Sequence, residues 1–164
     1  MRCTIVYFSL SGKTRQAADI LATSLRAERI ELNTKKPYPK LRFLRLLVGG
    51  AQAGRKVTPP LVPYDVKEDQ DLYILGTPVW NATMSPALRT FLTENALKGK
   101  RVAAFATSLS GDADRCFLQM EELIGEPLKG RVSLRSSKGS FSPRELEKLE
   151  RFADQLWIDG QEEQ

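Results

Sequence analysis

The chain has 164 residues, 25 of them Lys or Arg and 20 Asp or Glu, for a formal net charge of +5. That length can enclose a hydrophobic core without disulfide or metal staples, and 41% hydrophobic with 27% charged residues exclude a disordered or fibrous chain. Histidine is absent, which removes serine–histidine and cysteine–histidine hydrolase chemistry, and the two cysteines, Cys3 and Cys116, form neither a CxxC pair nor a zinc site.

The N-terminus enters the β-like run Cys3–Phe8 almost at once, too early for the apolar region of a secretory signal. No apolar run approaches a membrane span, so the expected location is cytoplasmic. Further strands are expected at Arg29–Leu32, Leu72–Leu75, Val102–Ala106 and, on a weaker pattern, Val132–Leu134. The third and fourth runs are nearly continuous in hydrophobicity, the pattern of strands covered on both faces.

Between the strands lie segments of helical period. Ala17, Ala18, Leu21 and Leu25 share one helical face. Leu41, Phe43, Leu44, Leu46, Leu47 and Val48 predict a short helix stopped by Gly49-Gly50, followed by a proline-rich return through Pro59, Pro60 and Pro63. Ser85 then Pro86 is an N-cap and first helical position, with Leu88, Phe91 and Leu92 as the buried stripe. Cys116, Met120, Leu123 and Ile124 form another stripe. The last helix opens with a capping box, Ser142-Pro143-Arg144-Glu145, and continues through Leu146, Leu149, Ala153, Leu156 and Trp157. Five strands with helices between them predict one domain over residues 1–164 and a parallel sheet with both faces covered.

The positive charge is local. From Asn33 to Tyr64 there are seven basic residues (Lys35, Lys36, Lys40, Arg42, Arg45, Arg55, Lys56) and no Asp or Glu, leaving 18 basic against 20 acidic residues elsewhere. Such a segment suits an acidic partner or an anionic surface, or is a solvated face. It lacks regular aromatic interleaving, so no nucleic-acid partner is expected.

Three turns follow strands one, three and four. Ser9-Leu10-Ser11-Gly12-Lys13-Thr14 joins the first strand to a helix start, where free backbone N–H groups and hydroxyls suit a phosphate. Its plain alternative is an ordinary capped helix. Gly12-Lys13-Thr14 ends like a nucleoside-triphosphate loop, but that motif needs glycine where Tyr7 stands. Gly76-Thr77-Pro78-Val79-Trp80-Asn81-Ala82-Thr83-Met84 follows the third strand, and Trp80 there is expected to be poorly placed for the core and free to stack on a flat ring. Thr107-Ser108-Leu109-Ser110-Gly111-Asp112-Ala113-Asp114 follows the fourth, offering amides and hydroxyls to a heterocycle. In a parallel sheet all three emerge at the carboxyl edge, where ligands bind.

With these residues the chain resembles the flavodoxin family of FMN-binding electron-transfer proteins. Ser9 to Thr14 resembles the family's [ST]-x-[ST]-G-x-T phosphate loop. Gly76 to Trp80 and the helix from Ser85 resemble its second flavin loop, and Thr107 to Asp114 falls where its third loop lies. The resemblance implies a three-layer α/β/α sandwich with a five-stranded parallel sheet of order 2-1-3-4-5 and a non-covalent FMN. It assigns the phosphate to Ser9, Ser11, Gly12, Lys13 and Thr14. Thr77, Pro78, Val79, Trp80 and Asn81 would frame the isoalloxazine, and Thr107, Ser108, Leu109, Gly111 and Asp112 its pyrimidine side.

The chain departs from the family at three points. Asn81 stands where many members have a glycine whose peptide flips toward the reduced flavin, the third loop has no covering tyrosine, and the chain is basic where electron-carrying flavodoxins are usually acidic. The expected function is an electron carrier working with redox partner proteins, needing no catalytic side chain and no metal. The alternative is an FMN-dependent NAD(P)H:quinone or flavin reductase, which needs an open flavin face. A second alternative is a non-catalytic binding module using the basic 35–56 segment on an acidic protein, a membrane or a nucleic acid. The sequence does not fix the oligomeric state.

Overall fold

A computed structural model describes residues 1–39 and 42–162, with the side chains of 42–47 outside the description. Five parallel strands, β1 (Cys3–Tyr7), β2 (Glu28–Glu31), β3 (Leu72–Pro78), β4 (Val102–Ser108) and β5 (Gly130–Arg135), form a sheet of order β2-β1-β3-β4-β5. Between and after them run α1 (Lys13–Leu25), α2 (Arg42–Gly54), α3 (Pro86–Glu94), α4 (Asp114–Ile124) and α5 (Pro143–Glu162). Among the described residues, no helix is long and apolar enough to cross a membrane.

Successive residues of a strand point to opposite faces, and the central strands feed two separate cores. Ile5, Tyr7, Leu72, Ile74, Ala103 and Phe105 face α1 and α5, meeting Leu21, Leu149 and Leu156. Val6, Tyr73, Leu75, Val102, Ala104 and Ala106 face the other way, meeting Leu88, Phe91, Phe117 and Met120 of α3 and α4. Two covered faces explain the uninterrupted apolar runs. The sheet and helices are the three layers and strand order that the resemblance to the flavodoxin family implied.

Several boundaries differ from the sequence expectation. β3 continues through Gly76-Thr77-Pro78, residues expected in a loop. A Cβ on Gly76 would collide with the Phe105 ring and stand 2.8 Å from Tyr7 Cβ, so that glycine is required by packing inside a strand. α2 is not stopped at Gly49-Gly50 but runs on to Gly54. There too the reason is close approach: a Cβ on Gly49 would lie 2.8 Å from the Trp80 ring. The residues on which the expected face of that helix rested, Leu41 and the side chains of 42–47, lie outside the described residues, as does Lys40.

The helix caps follow the sequence in part. Ser85 Oγ accepts the Leu88 N–H at 3.3 Å, with Pro86 in the first turn. Ser142 Oγ accepts the Glu145 N–H at 3.4 Å, whereas the Glu145 carboxylate turns to the Arg135 N–H (2.8 Å) and to Lys148 Nζ. Leu123 and Trp157, expected in buried stripes, are 40% and 42% exposed; Phe152 packs in the α5 core instead.

Thr4 is fully buried in β1, and its hydroxyl has no hydrogen-bond partner among the described residues. Burying an unpaired hydroxyl costs about 1–3 kcal/mol. Thr4→Val keeps the shape and removes the hydroxyl, so its thermal midpoint should rise by about 2–4 °C per kcal/mol recovered. Differential scanning calorimetry of the two proteins checks this; a lower midpoint refutes it.

Candidate functional site

The turns after β1, β3, β4 and β5 all leave the carboxyl edge of the sheet, on either side of the point between β1 and β3 where the chain reverses its direction of winding. Backbone bonds lace them together: Phe8 N–H to Gly76 O (3.1 Å), Val79 N–H to Thr107 O (2.8 Å) and Ser136 N–H to Ser108 O (2.7 Å). They enclose a cleft of about 520 Å³, within the range of small-molecule and cofactor sites.

The first turn is built around Gly12, whose φ of +90° places it in the left-handed region at the N-cap of α1. Ser9 Oγ accepts the N–H groups of Gly12 and Arg15, both at 3.2 Å. Among the described residues, the Lys13 and Thr14 N–H groups have no acceptor. Leu10, Ser11 and Lys13 line the cleft. Thr14 is buried, and its hydroxyl meets that of Thr107 at 2.9 Å, tying the first turn to the third across the end of β3. The Lys13 ammonium stands 5.5 Å from the centroid of the Phe141 ring.

In the second turn Pro78, Val79 and Trp80 line the cleft. Thr77 is buried and structural: its Oγ1 accepts the Ser85 N–H (2.9 Å) and donates to Pro78 O (3.0 Å). Trp80 and Thr83 exchange backbone hydrogen bonds of 2.9 and 3.0 Å around Asn81 (φ +50°) and Ala82 (φ +57°). Two consecutive positive φ values make this a type I′ hairpin, which Asn accepts readily and Ala less so. Asn81 lies outside the cleft, its amide facing Gly54 of α2.

The expectation that Trp80 is poorly placed for the core does not hold. It is 9% exposed and belongs to the α3–α4 core cluster. Its ring meets Phe8 (5.6 Å, 83°) and Tyr38 (5.5 Å, 78°) edge to face and rests on Gly49. The indole is therefore a fixed wall of the cleft. Burial pushes the Tyr38 phenol up to about 12, so it stays protonated at neutral pH beside Gln52 Oε1, 3.2 Å away. Beneath the hairpin, Arg89 Nη2 donates to Thr83 Oγ1 (2.9 Å) and Gln119 Oε1 (3.2 Å). Arg89 is 6% exposed and has no carboxylate partner among the described residues; its burial lowers the guanidinium pKa from the usual value.

The third turn gives Thr107, Ser108 and Leu109 to the cleft. Ser108 Oγ accepts the Gly111 N–H at 2.8 Å, and Gly111 adopts a φ of +82°. Asp112 Oδ1 accepts the Asp114 N–H at 3.0 Å at the start of α4. Gly111 and Asp112 thus shape the turn rather than line the cleft. Leu109, 79% exposed, stands at the mouth.

A fourth wall went unread in the sequence. Ser136, Ser137, Lys138 and Gly139, after β5, line the same cleft. The signal was present: a polar, glycine-containing turn leaves a strand at the carboxyl edge just before the Ser142-Pro143 cap. The weak pattern of β5 obscured it. The lining residues include two lysines, five serines or threonines, and no carboxylate. Uncommitted amides, cationic walls and a fixed aromatic side fit a ligand with an anionic tail and a flat apolar ring.

No family model and no curated protein sequence matches the chain. Solved structures do. The chain is similar to a flavoprotein from Lactobacillus acidophilus in complex with FMN, at 23% identity over 79% of this chain and 91% of that one, with a TM-score of 0.66. A provisionally assigned flavoprotein from Bacteroides uniformis is 21% identical over 96% and 97%, with a TM-score of 0.74. Oxidised flavodoxin 2 from Bacillus cereus is 20% identical over 97% and 99%, with a TM-score of 0.60. These likenesses establish the flavodoxin-like fold.

Gly49→Ala places a methyl group against the Trp80 ring. The variant should lose about 1–3 kcal/mol of stability and alter the near-ultraviolet circular dichroism of the buried indole. Unchanged denaturant midpoint and spectrum would show that the ring does not depend on this seat.

Proposed function

We propose that this protein binds FMN non-covalently in the carboxyl-edge cleft and carries electrons between redox partner proteins. The observation that carries this reading is the convergence of a helix-opening turn with uncommitted amides, a tryptophan wall and a polar turn on one cleft whose described lining has no carboxylate. The Lys13 and Thr14 N–H groups would take the phosphate at the positive end of α1. Val79 and Trp80 would bound the ring on one side, and Thr107, Ser108 and Leu109 on the other. Bound FMN supplies the redox chemistry; the protein holds it, orients it and sets its surroundings. We further propose that residues 1–164 act as one domain in the cytoplasm, where the free thiols Cys3 and Cys116 remain reduced.

A second reading, an FMN-dependent reductase using NAD(P)H with a quinone or flavin, is favoured by one feature. Beside the third turn the exposed Leu109 stands at the mouth, and the described lining there includes no aromatic lid.

Anaerobic reductive titration of the FMN-loaded protein, with NADH and NADPH tried separately, separates the readings. A carrier should stay yellow with either nicotinamide and bleach only when a partner reductase is added. Rapid bleaching by one nicotinamide alone supports the reductase, and a colourless protein that refuses added FMN overturns both. Gly12→Val introduces a β-branched side chain at a positive φ; it should abolish tight FMN binding while weakening riboflavin less. Equal FMN affinity of variant and parent would remove the first turn from the site.

A further inference from the structure

The geometry points to Lys138, on the turn between β5 and α5, as a residue that pairs with the flavin's phosphate and makes the cleft select phosphorylated over unphosphorylated flavin. This rests on the reading of the cleft as an FMN site and adds a fourth binding segment to it.

The turn is anchored at both ends. Ser136 N–H donates to Ser108 O at 2.7 Å, which holds the exit of β5 against the third turn. Five residues later Phe141 is buried, 4% exposed, under the Lys13 ammonium. Between these anchors the chain passes along the cleft, and Gly139 makes the return at a φ of +82°. Lys138 consequently lines the same cleft as Lys13 and Ser11 of the first turn.

Charge identifies what this wall would hold. Lys13 and Lys138 are the charged residues of the described lining, and no carboxylate offsets them. The acidic side chains of the adjoining turns are otherwise engaged: Asp112 accepts the Asp114 N–H, and Glu145 accepts the Arg135 N–H and pairs with Lys148. A phosphate monoester carries roughly −1.5 to −2 at neutral pH, which matches two lysines and the unpaired amides of α1. Riboflavin lacks that charge. A lysine that touches only the phosphate therefore separates the two flavins.

The test compares FMN and riboflavin binding by flavin fluorescence titration, at low and moderate salt, in the parent and in Lys138→Gln. Lys129→Gln controls for net charge, because Lys129 is exposed just before β5, at the opposite edge of the sheet. Lys138→Gln should weaken FMN by about three- to tenfold at low salt and leave riboflavin within about twofold. The salt dependence of FMN binding should become shallower. Equal weakening of both flavins, or no more effect than Lys129→Gln, overturns the assignment. So does a variant with parental FMN affinity that binds only NADPH more weakly, which would give the lysine to a nicotinamide phosphate. A parent protein that binds neither flavin removes the FMN reading itself, a result distinct from a failed variant.

Discussion

The carboxyl rim depends on a contact between two buried threonines. β1 and β4 are not neighbours in the sheet, since β3 lies between them. The Thr14 and Thr107 hydroxyls nevertheless meet at 2.9 Å above the end of β3, closing the first turn on the third. Around that strut, main-chain bonds join Phe8 to Gly76, Val79 to Thr107 and Ser136 to Ser108. The four turns are thus held as one rim, and a cleft formed this way needs little rearrangement to receive a ligand. Each contact that fixes the rim before binding lowers the ordering cost at binding.

The second turn shows how local strain is offset by packing. Asn81 and Ala82 both adopt positive φ, a conformation costing roughly 1–2 kcal/mol for an L-residue with a Cβ. The hairpin is retained because its surroundings over-determine it. Trp80 is wedged among Phe8, Tyr38 and Gly49, and Thr83 is held from below by Arg89 and Gln119. Among the described residues the buried guanidinium meets no carboxylate and its Nε–H has no partner, an unusual support. Strain and an under-satisfied cation at one turn are features concentrated at binding sites.

Much of this was legible in the sequence because it follows from period and punctuation. The apolar runs gave the central strands, and Ser85-Pro86 and Ser142-Pro143 marked two helix starts. The three polar turns after strands one, three and four were visible because each breaks an apolar run with glycine, serine or threonine. What sequence could not supply was the partner of each group. Ser, Thr and Gly have the same letters whether they face a ligand or hold a turn. Ser9, Thr14, Thr77 and Asp112 all proved to bond within the protein. Gly49-Gly50 looked like a helix stop because glycine lowers helix propensity; tertiary contact overrode that preference. The turn after β5 was missed for the opposite reason. Arg131, Ser133 and Arg135 dilute the strand's apolar pattern at the sheet edge, where one covered neighbour is enough.

The seat of Trp80 carries a consequence for cooperativity. α2 holds glycines at 49, 50 and 54, and each of the two inside it weakens an isolated helix by about 1 kcal/mol relative to alanine. Two of them touch the second turn, Gly49 beneath the indole and Gly54 beside the Asn81 amide. A methyl group that would firm up the helix at Gly49 would press on the indole, and one at Gly54 would displace the Asn81 amide. The helix and the hairpin therefore order one another. They should open together as one unit in native-state hydrogen exchange, at a free energy below that of the central strands.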